Sequence, residues 1–297
     1  MEKPSERITT YLPDNTLRQG YRSLLRDIVV ELVSSRWLIY QLFRRDIASF
    51  YKQSVLGVFW VFVVPLVTVG TFALLRGSGV VATGEVSTPY PIFAVLGIAV
   101  WQLFAQGIVA GANALVGGGD MISRINFSKK SLVIAAMGRT VVSFAVLLGL
   151  LVILFAVYAA RGFTIPLHAG IALAPLSLVP LMLLTLGASF YLALLNGVIR
   201  DVGTMLSMLV TFLMLLTPVL YERPKLAPNA AELAILLDRL TTYNPLYYLV
   251  EGPRQLVLTG HLPDARGFFI ASAASFLLFF FSLVGFHVAE TRIAERI

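Results

Sequence analysis

The chain has 297 residues, 58% of them hydrophobic and only 13% charged, with a mean hydropathy of +0.83, whereas soluble domains are about half apolar and about a quarter charged. A soluble core of this size cannot hide that much apolar surface, so lipid is the expected solvent for much of it. The net charge of +7 reads as orienting Lys and Arg rather than a nucleic-acid footprint, since no basic stripe is interleaved with aromatics, and the lack of cysteine excludes disulfides, thiolate metal sites and cysteine nucleophiles.

Residues 1–20 are polar, contain proline and carry no apolar core, so no cleavable signal peptide is expected. Over 21–33, Leu24, Leu25, Ile28, Val29, Leu32 and Val33 form one helical stripe, with Arg22, Arg26, Asp27 and Glu31 largely opposite. The next stretch mixes Trp37, Phe43, Phe50 and Tyr51 with Arg36, Arg44, Arg45 and Lys52. Two readings fit: an amphipathic helix lying in the membrane interface, or a solvated helix pair in the cytoplasm.

Six spans are predicted, at about 55–75, 90–116, 131–159, 170–195, 202–220 and 267–289. The second holds a Gly107–Gly111 small-xxx-small pair suited to a close helix neighbour. The third contains Arg139, and its excess length lets that side chain snorkel toward the interface. The fourth includes Pro175 and Pro180, tolerable in a packed membrane helix. Residues 233–237 and 246–250 are apolar but too short to cross, separated by Tyr243, Asn244 and Pro245. They read as a re-entrant extracytoplasmic helical hairpin before the last span, or as a surface hairpin on the helix ends. The fold class is thus an all-α integral membrane protein, with residues 1–53 as an N-terminal arm with interface helices and 54–297 as a six-helix transmembrane domain.

Charge sets the orientation. Nine Lys and Arg precede residue 54 (Lys3, Arg7, Arg18, Arg22, Arg26, Arg36, Arg44, Arg45 and Lys52), and Arg124, Lys129 and Lys130 lie in the 117–130 loop. The similarly short 76–89 loop has only Arg76. This bias places both termini in the cytoplasm, with Arg292 and Arg296 at the C-terminal end.

No catalytic chemistry emerges. The GxxxxGK[ST] phosphate loop is absent, and the Gly117–Gly119 run leads into Asp120, which repels phosphate. His168, His261 and His287 fall in three separate regions without metal-ligand spacing, each reading as an ordinary interfacial residue. No carboxylate sits mid-span, which disfavours an ion-coupled relay. Catalytic and metal residues are therefore expected to be none. An integral membrane enzyme acting on lipid-phosphate or glycan substrates stays as an alternative function, without a nameable nucleophile, base and orienter.

Four stretches, in order, resemble type-2 ABC export permeases of the branch that moves lipid-linked polysaccharides. The first carries Arg45, Asp46, Tyr51, Lys52, Gln53, Leu56, Gly57, Trp60 and Pro65. The others are residues 122–136, 196–221 (an Arg-Asp stretch leading to Thr217-Pro218-Val219) and 243–258 (Asn244-Pro245-Leu246 followed by Arg254). Phe127-Ser128 replaces the family's frequent Phe-Pro, and Thr217-Pro218-Val219 its Ser-Pro-Val.

The resemblance implies a permease subunit in the bacterial cytoplasmic (inner) membrane that exports a lipid-linked glycan of O-antigen, capsule, teichoic acid or galactan type. It implies a homodimer with two ATP-binding cassette ATPase subunits, ATP and Mg being held by those partners and no cofactor by this chain. An ABC exporter of a small lipid or drug is the related alternative. Arg124, Phe127, Lys129 and Lys130 would form the ATPase-coupling loop, and Tyr243, Asn244, Pro245 and Arg254 the outer re-entrant turn. Arg44, Arg45, Tyr51 and Lys52 are candidates to meet a polyprenyl-pyrophosphate; orienting charge accounts for the basic ones equally well. Trp60, Trp101, Phe104 and Tyr191 are candidate translocation-path aromatics, with helix packing as their other reading.

Overall fold

The computed structural model describes residues 21–52, 59–78, 88–124, 127–165, 167–223 and 232–293. Lys3, Arg7, Arg18, Gln53, Leu56, Gly57 and Arg296 lie outside the described residues. Twelve helices and no strand occur among those described: α1 Tyr21–Ser34, α2 Arg36–Lys52, α3 Phe59–Gly77, α4 Tyr90–Gly117, α5 Gly119–Arg124, α6 Lys130–Ala160, α7 Gly170–Ser177, α8 Val179–Val198, α9 Asp201–Leu216, α10 Glu232–Tyr243, α11 Pro245–Leu258 and α12 Ala265–Ile293.

Five stretches are long and apolar enough to cross a membrane: α3, α4, α6, the combined α7–α8 and α12. The protein is multi-pass. α9, the fifth apolar stretch in the sequence, is only 16 residues long. Its helix stops at Leu216 rather than running to 220, because Pro218 pushes Thr217 into an extended backbone (φ −99°, ψ 124°). The expected fourth span is interrupted at Leu178, between Pro175 and Pro180. Neither proline has an N–H for the helical ladder, and the Leu178 N–H turns back to the Pro175 carbonyl at 3.3 Å.

α4 is the central element: 78% of its most apolar stretch is buried, against 11% for α3. Its Gly107–Gly111 pair does what the spacing predicts. A Cβ on Gly111 would lie 2.4 Å from Ser189 Oγ, and one on Gly107 2.9 Å from Thr185 Cγ2. Small residues thus face small residues, and α4 and α8 pack with backbones close together. On the other face of α8, a Cβ on Gly187 would meet the Phe279 backbone at 2.8 Å, drawing in α12. α6 packs along α4 as well.

α1 and α2 are joined through Ser35 with the backbone ladder unbroken, Ser35 N–H donating to Glu31 O and Ile39 N–H to Ser35 O. Only Leu24 and Ile28 of the α1 stripe are buried; Val29, Val33, Trp37 and Tyr40 stay exposed. α2 lies on α6 through Phe43, whose ring fills the notch at Gly138, where a Cβ would be 2.1 Å away.

Candidate functional site

Polar side chains gather at the two ends of α4. At its C-terminal end, Asn196 of α8 donates to Ala112 O (3.1 Å) and Asn113 Oδ1 (3.0 Å) of α4, and accepts from Gly203 N–H of α9 (2.9 Å). One amide satisfies three groups on two neighbouring helices, including an otherwise unpaired N–H in the first turn of α9.

Beyond α4, the segment expected to form the coupling loop splits into exposed and buried parts. α5 ends in exposed Arg124, Phe127 is half-buried, and Lys129 and Lys130 are buried. Lys130 is 0% exposed. Its Nζ lies 2.9 Å from Glu31 Oε2 of α1 and 3.0 Å from His287 Nδ1 of α12, and it also pairs with Glu290. The Lys129 backbone N–H donates to the Glu290 carboxylate, and Lys129 Nζ donates to the Glu290 carbonyl at 3.3 Å. Burial acts to raise the Glu31 carboxyl, but contacts with His287 and Lys130 outweigh it and hold that group at about 2, below its ordinary 4.5.

Glu31, His287 and Glu290 offer ligand atoms within 4.8 Å of one another, a spacing that suits a metal ion. The Lys130 ammonium is in contact with all three and already supplies the cation between them. Sequence reasoning missed these partners. Glu31 looked like a solvated position on a polar helix face and His287 like an ordinary interfacial residue. The His287–Glu290 spacing puts both on one side of α12, but nothing local ties them to residue 130.

At the other end of α4 the outer-turn residues come together. Asn244 caps α11, accepting from Leu246 N–H at 3.0 Å, with Pro245 in the first turn. The Asn244 amide donates to Thr217 Oγ1 at 2.9 Å, while Tyr243 is exposed. Arg254 of α11 is 0% exposed. It donates to Val219 O (2.7 Å) and Pro218 O (3.0 Å), pairs with Glu251, and stacks 3.9 Å over the Phe93 ring of α4. Tyr90 Oη donates to Leu220 O at 3.0 Å. Every carbonyl from 218 to 220 thus has a donor, the condition under which irregular backbone is tolerated beside lipid. The fit is tight, since a Cβ on Gly97 would sit 2.4 Å from Val219 O.

The remaining candidates separate. Trp60 and Tyr191 are exposed, whereas Trp101 and Phe104 are buried and packed together with ring centroids 5.4 Å apart. Arg44 and Arg45 are exposed, Arg45 pairing with neighbouring Asp46 at 3.0 Å. Tyr51 and Lys52 close α2. Arg139 is exposed on α6.

Apolar helices of membrane-crossing length, packed around α4 and polar mainly at its ends, define a multi-pass α-helical membrane protein. The chain belongs to the ABC-2 type transporter family, whose profile matches residues 38–258. It is therefore a transport subunit rather than an enzyme, and the family implies an ATP-binding cassette partner. It is similar to the O-antigen export system permease protein RfbA of Myxococcus xanthus, 25% identical over 270 residues covering 91% of this chain and 99% of the relative. It is also similar to the RfbA of Klebsiella pneumoniae, 24% identical over 219 residues, 73% of this chain and 79% of the relative.

Proposed function

We propose that the chain is the permease of an ABC exporter that moves a lipid-linked polysaccharide across the bacterial cytoplasmic membrane, powered by separate ATPase subunits that hold ATP and Mg. The observation carrying this is its end-to-end similarity to a permease named for O-antigen export. The missing phosphate loop agrees, since a transporter without one needs an external motor.

In this reading the chain makes six spans after an N-terminal arm of residues 1–53. α9 rises only about 24 Å, short of a crossing of roughly 30 Å, and in this reading residues 217–220, which turn with Val219 N–H donating to Thr217 O at 2.6 Å, finish the span. α10 and α11 form a re-entrant hairpin on the outer side. α11 is its buried limb, whereas α10 buries only Thr241. The Lys and Arg bias supports cytoplasmic termini. Six helices enclose little cross-section, so a homodimer offers the wider path for a glycan. Arg44, Arg45, Tyr51 and Lys52 receive the pyrophosphate, and the exposed Trp60 and Tyr191 are better placed than Trp101 and Phe104 to meet sugar. The loop ending in Arg124, Phe127, Lys129 and Lys130 takes the ATPase stroke, with α5 as its exposed surface.

Deletion followed by analysis of membrane lipids tests the proposal. Lipid-linked glycan should accumulate on the cytoplasmic face and surface glycan disappear, and the tagged chain should copurify with a nucleotide-binding subunit. Normal surface glycan after deletion, or a purified chain that processes lipid-phosphate unaided, would sink the reading.

A further inference from the structure

We infer that Lys130 is a positioning residue of the export cycle, fastening the interface helix, the start of α6 and the end of α12 into one body that moves as a unit when residues 119–129 are pushed. The inference rests on the permease reading above. Three observations lead to it.

First, the elements meeting at Lys130 are remote in sequence yet share one buried charge. Glu31 and His287 lie at 2.9 and 3.0 Å from Nζ, and Glu290 is also paired with it. An ammonium removed from water is held only where its partners stay in place, so separating any one of these elements would strand charge. Second, α12 grips the backbone too, through the Lys129 N–H and the Glu290 carboxylate. A rotamer change at Lys130 alone cannot release it. Third, the interface helices touch α6 at two points. Glu31 meets Lys130, and Phe43 fills the Gly138 notch, eight residues or about 12 Å further along α6. Two separated points pass on a twist as well as a push. α5 ends at Arg124, six residues before Lys130, so displacement of α5 reaches this joint through a short segment. A last span that belongs to the input body does not follow from loop docking alone.

The native chain has no cysteine, which permits site-specific spin labels. Cysteines are placed in pairs at Val30 (α1), Val141 (α6) and Phe281 (α12), with Val67 (α3) as reference, all exposed. One labelled protomer per complex, with its ATPase subunits, is reconstituted in nanodiscs. Distances are then measured with ADP and in the vanadate-trapped state. Val30–Phe281 and Val30–Val141 should keep one distance in both states while Val67–Val141 changes.

In Lys130→Ala the Val30–Phe281 distance should shift between the two nucleotide states, which a purely structural loss, acting alike in both, would not produce. Surface glycan in a complemented deletion strain, at matched protein level, should fall roughly 2- to 30-fold, and Lys130→Arg should restore much of it. Where Lys130→Ala fails to accumulate, Glu290→Gln removes one charge at constant volume and takes the same measurements. A Val30–Phe281 distance that moves in the native protein overturns the inference, as does a variant that leaves distances and export unchanged. Failure of every pair to respond to nucleotide, Val67 included, refutes the permease reading itself.

Discussion

Replacing Arg254 with alanine should loosen residues 217–220 without unfolding the rest of the bundle. The guanidinium donates to Val219 O and Pro218 O and stacks on Phe93, and it balances the Glu251 carboxylate. Alanine leaves two carbonyls without donors in an apolar setting and a carboxylate supported only by Gln255 at 2.6 Å. Breaking a buried pair by removing one partner costs about 3–5 kcal/mol, and here the loss is local to the break after α9. At about 1.4 kcal/mol per decade, amide exchange at Val219 and Leu220 should accelerate roughly 150- to 5,000-fold, provided exchange there proceeds by local opening. Lysine keeps the charge but cannot fork to both carbonyls, so Arg254→Lys should lose about 1.5–3 kcal/mol, one charged hydrogen bond. The assay is hydrogen–deuterium exchange on the purified chain in nanodiscs, read by mass spectrometry of peptides spanning 213–223. Unchanged exchange there in Arg254→Ala would refute the claim that this side chain holds the segment.

Gly111→Val should separate α4 from α8, because the added atoms fall on Ser189, 2.4 Å from where a Cβ would start. A loss of about 1–3 kcal/mol is expected, partly recovered by Ser189→Gly, and thermal aggregation in detergent reads both. Asn196→Ala frees Gly203 N–H and Ala112 O and should cost about 1–3 kcal/mol, appearing as faster exchange in the first turn of α9. Glu31 carries a pH dependence. Its folded carboxyl titrates at about 2 instead of 4.5, so its contribution is complete above pH 4.5 and drains away as pH falls toward 2. The ceiling of about 3.4 kcal/mol shrinks to about 1–2 because solvent reaches the side chain. Proteolysis of the N-terminal helices should therefore rise in acid for the native chain, and Glu31→Gln should be equally susceptible at pH 4.5 and pH 3. Reversing both Lys129 and Lys130 to glutamate brings four carboxylates together with Glu31 and Glu290. The chain should then fail at this joint, with low accumulation, instead of showing uncoupled ATPase activity in a stable complex.

Periodicity and apolar length made most of the helices legible, because lipid imposes the same demand at every residue of a span. Gly107 and Gly111 were readable for the same reason: close packing of helices needs small residues at fixed spacing. Boundaries were harder. Pro218 at the end of α9 and the Pro175–Pro180 pair carry information about helix breaks, yet prolines are also tolerated inside packed membrane helices, so sequence alone does not decide between a kink and a stop. The polar assemblies were half legible. Arg254 and Lys130 stood out as residues, but a charge outside the apolar core reads as solvated until a partner from elsewhere in the chain is known. Trp101 and Phe104 show the converse, aromatic residues whose chemistry suits a sugar path but which lie buried in α4 and packed on each other.

The distribution of strong contacts bears on how such a bundle can move. Charge is costly in the middle of a bilayer, and the fully buried cations Lys130 and Arg254 lie toward opposite ends of α4, each anchored by several partners. Between them the helices meet through apolar side chains and small-residue notches, contacts whose energies are spread over many weak terms and which lose little when surfaces slide. The least buried apolar elements, α3 and α9, carry Trp60, Val67, Met205, Met208 and Phe212 on exposed faces. An input body fastened at Lys130 would therefore shift these two helices against α4 more readily than it would break its own joint. That is the arrangement the proposed path between two copies of the chain would require: rigid ends to transmit the stroke, and flanking helices loosely enough held to part around the proposed glycan.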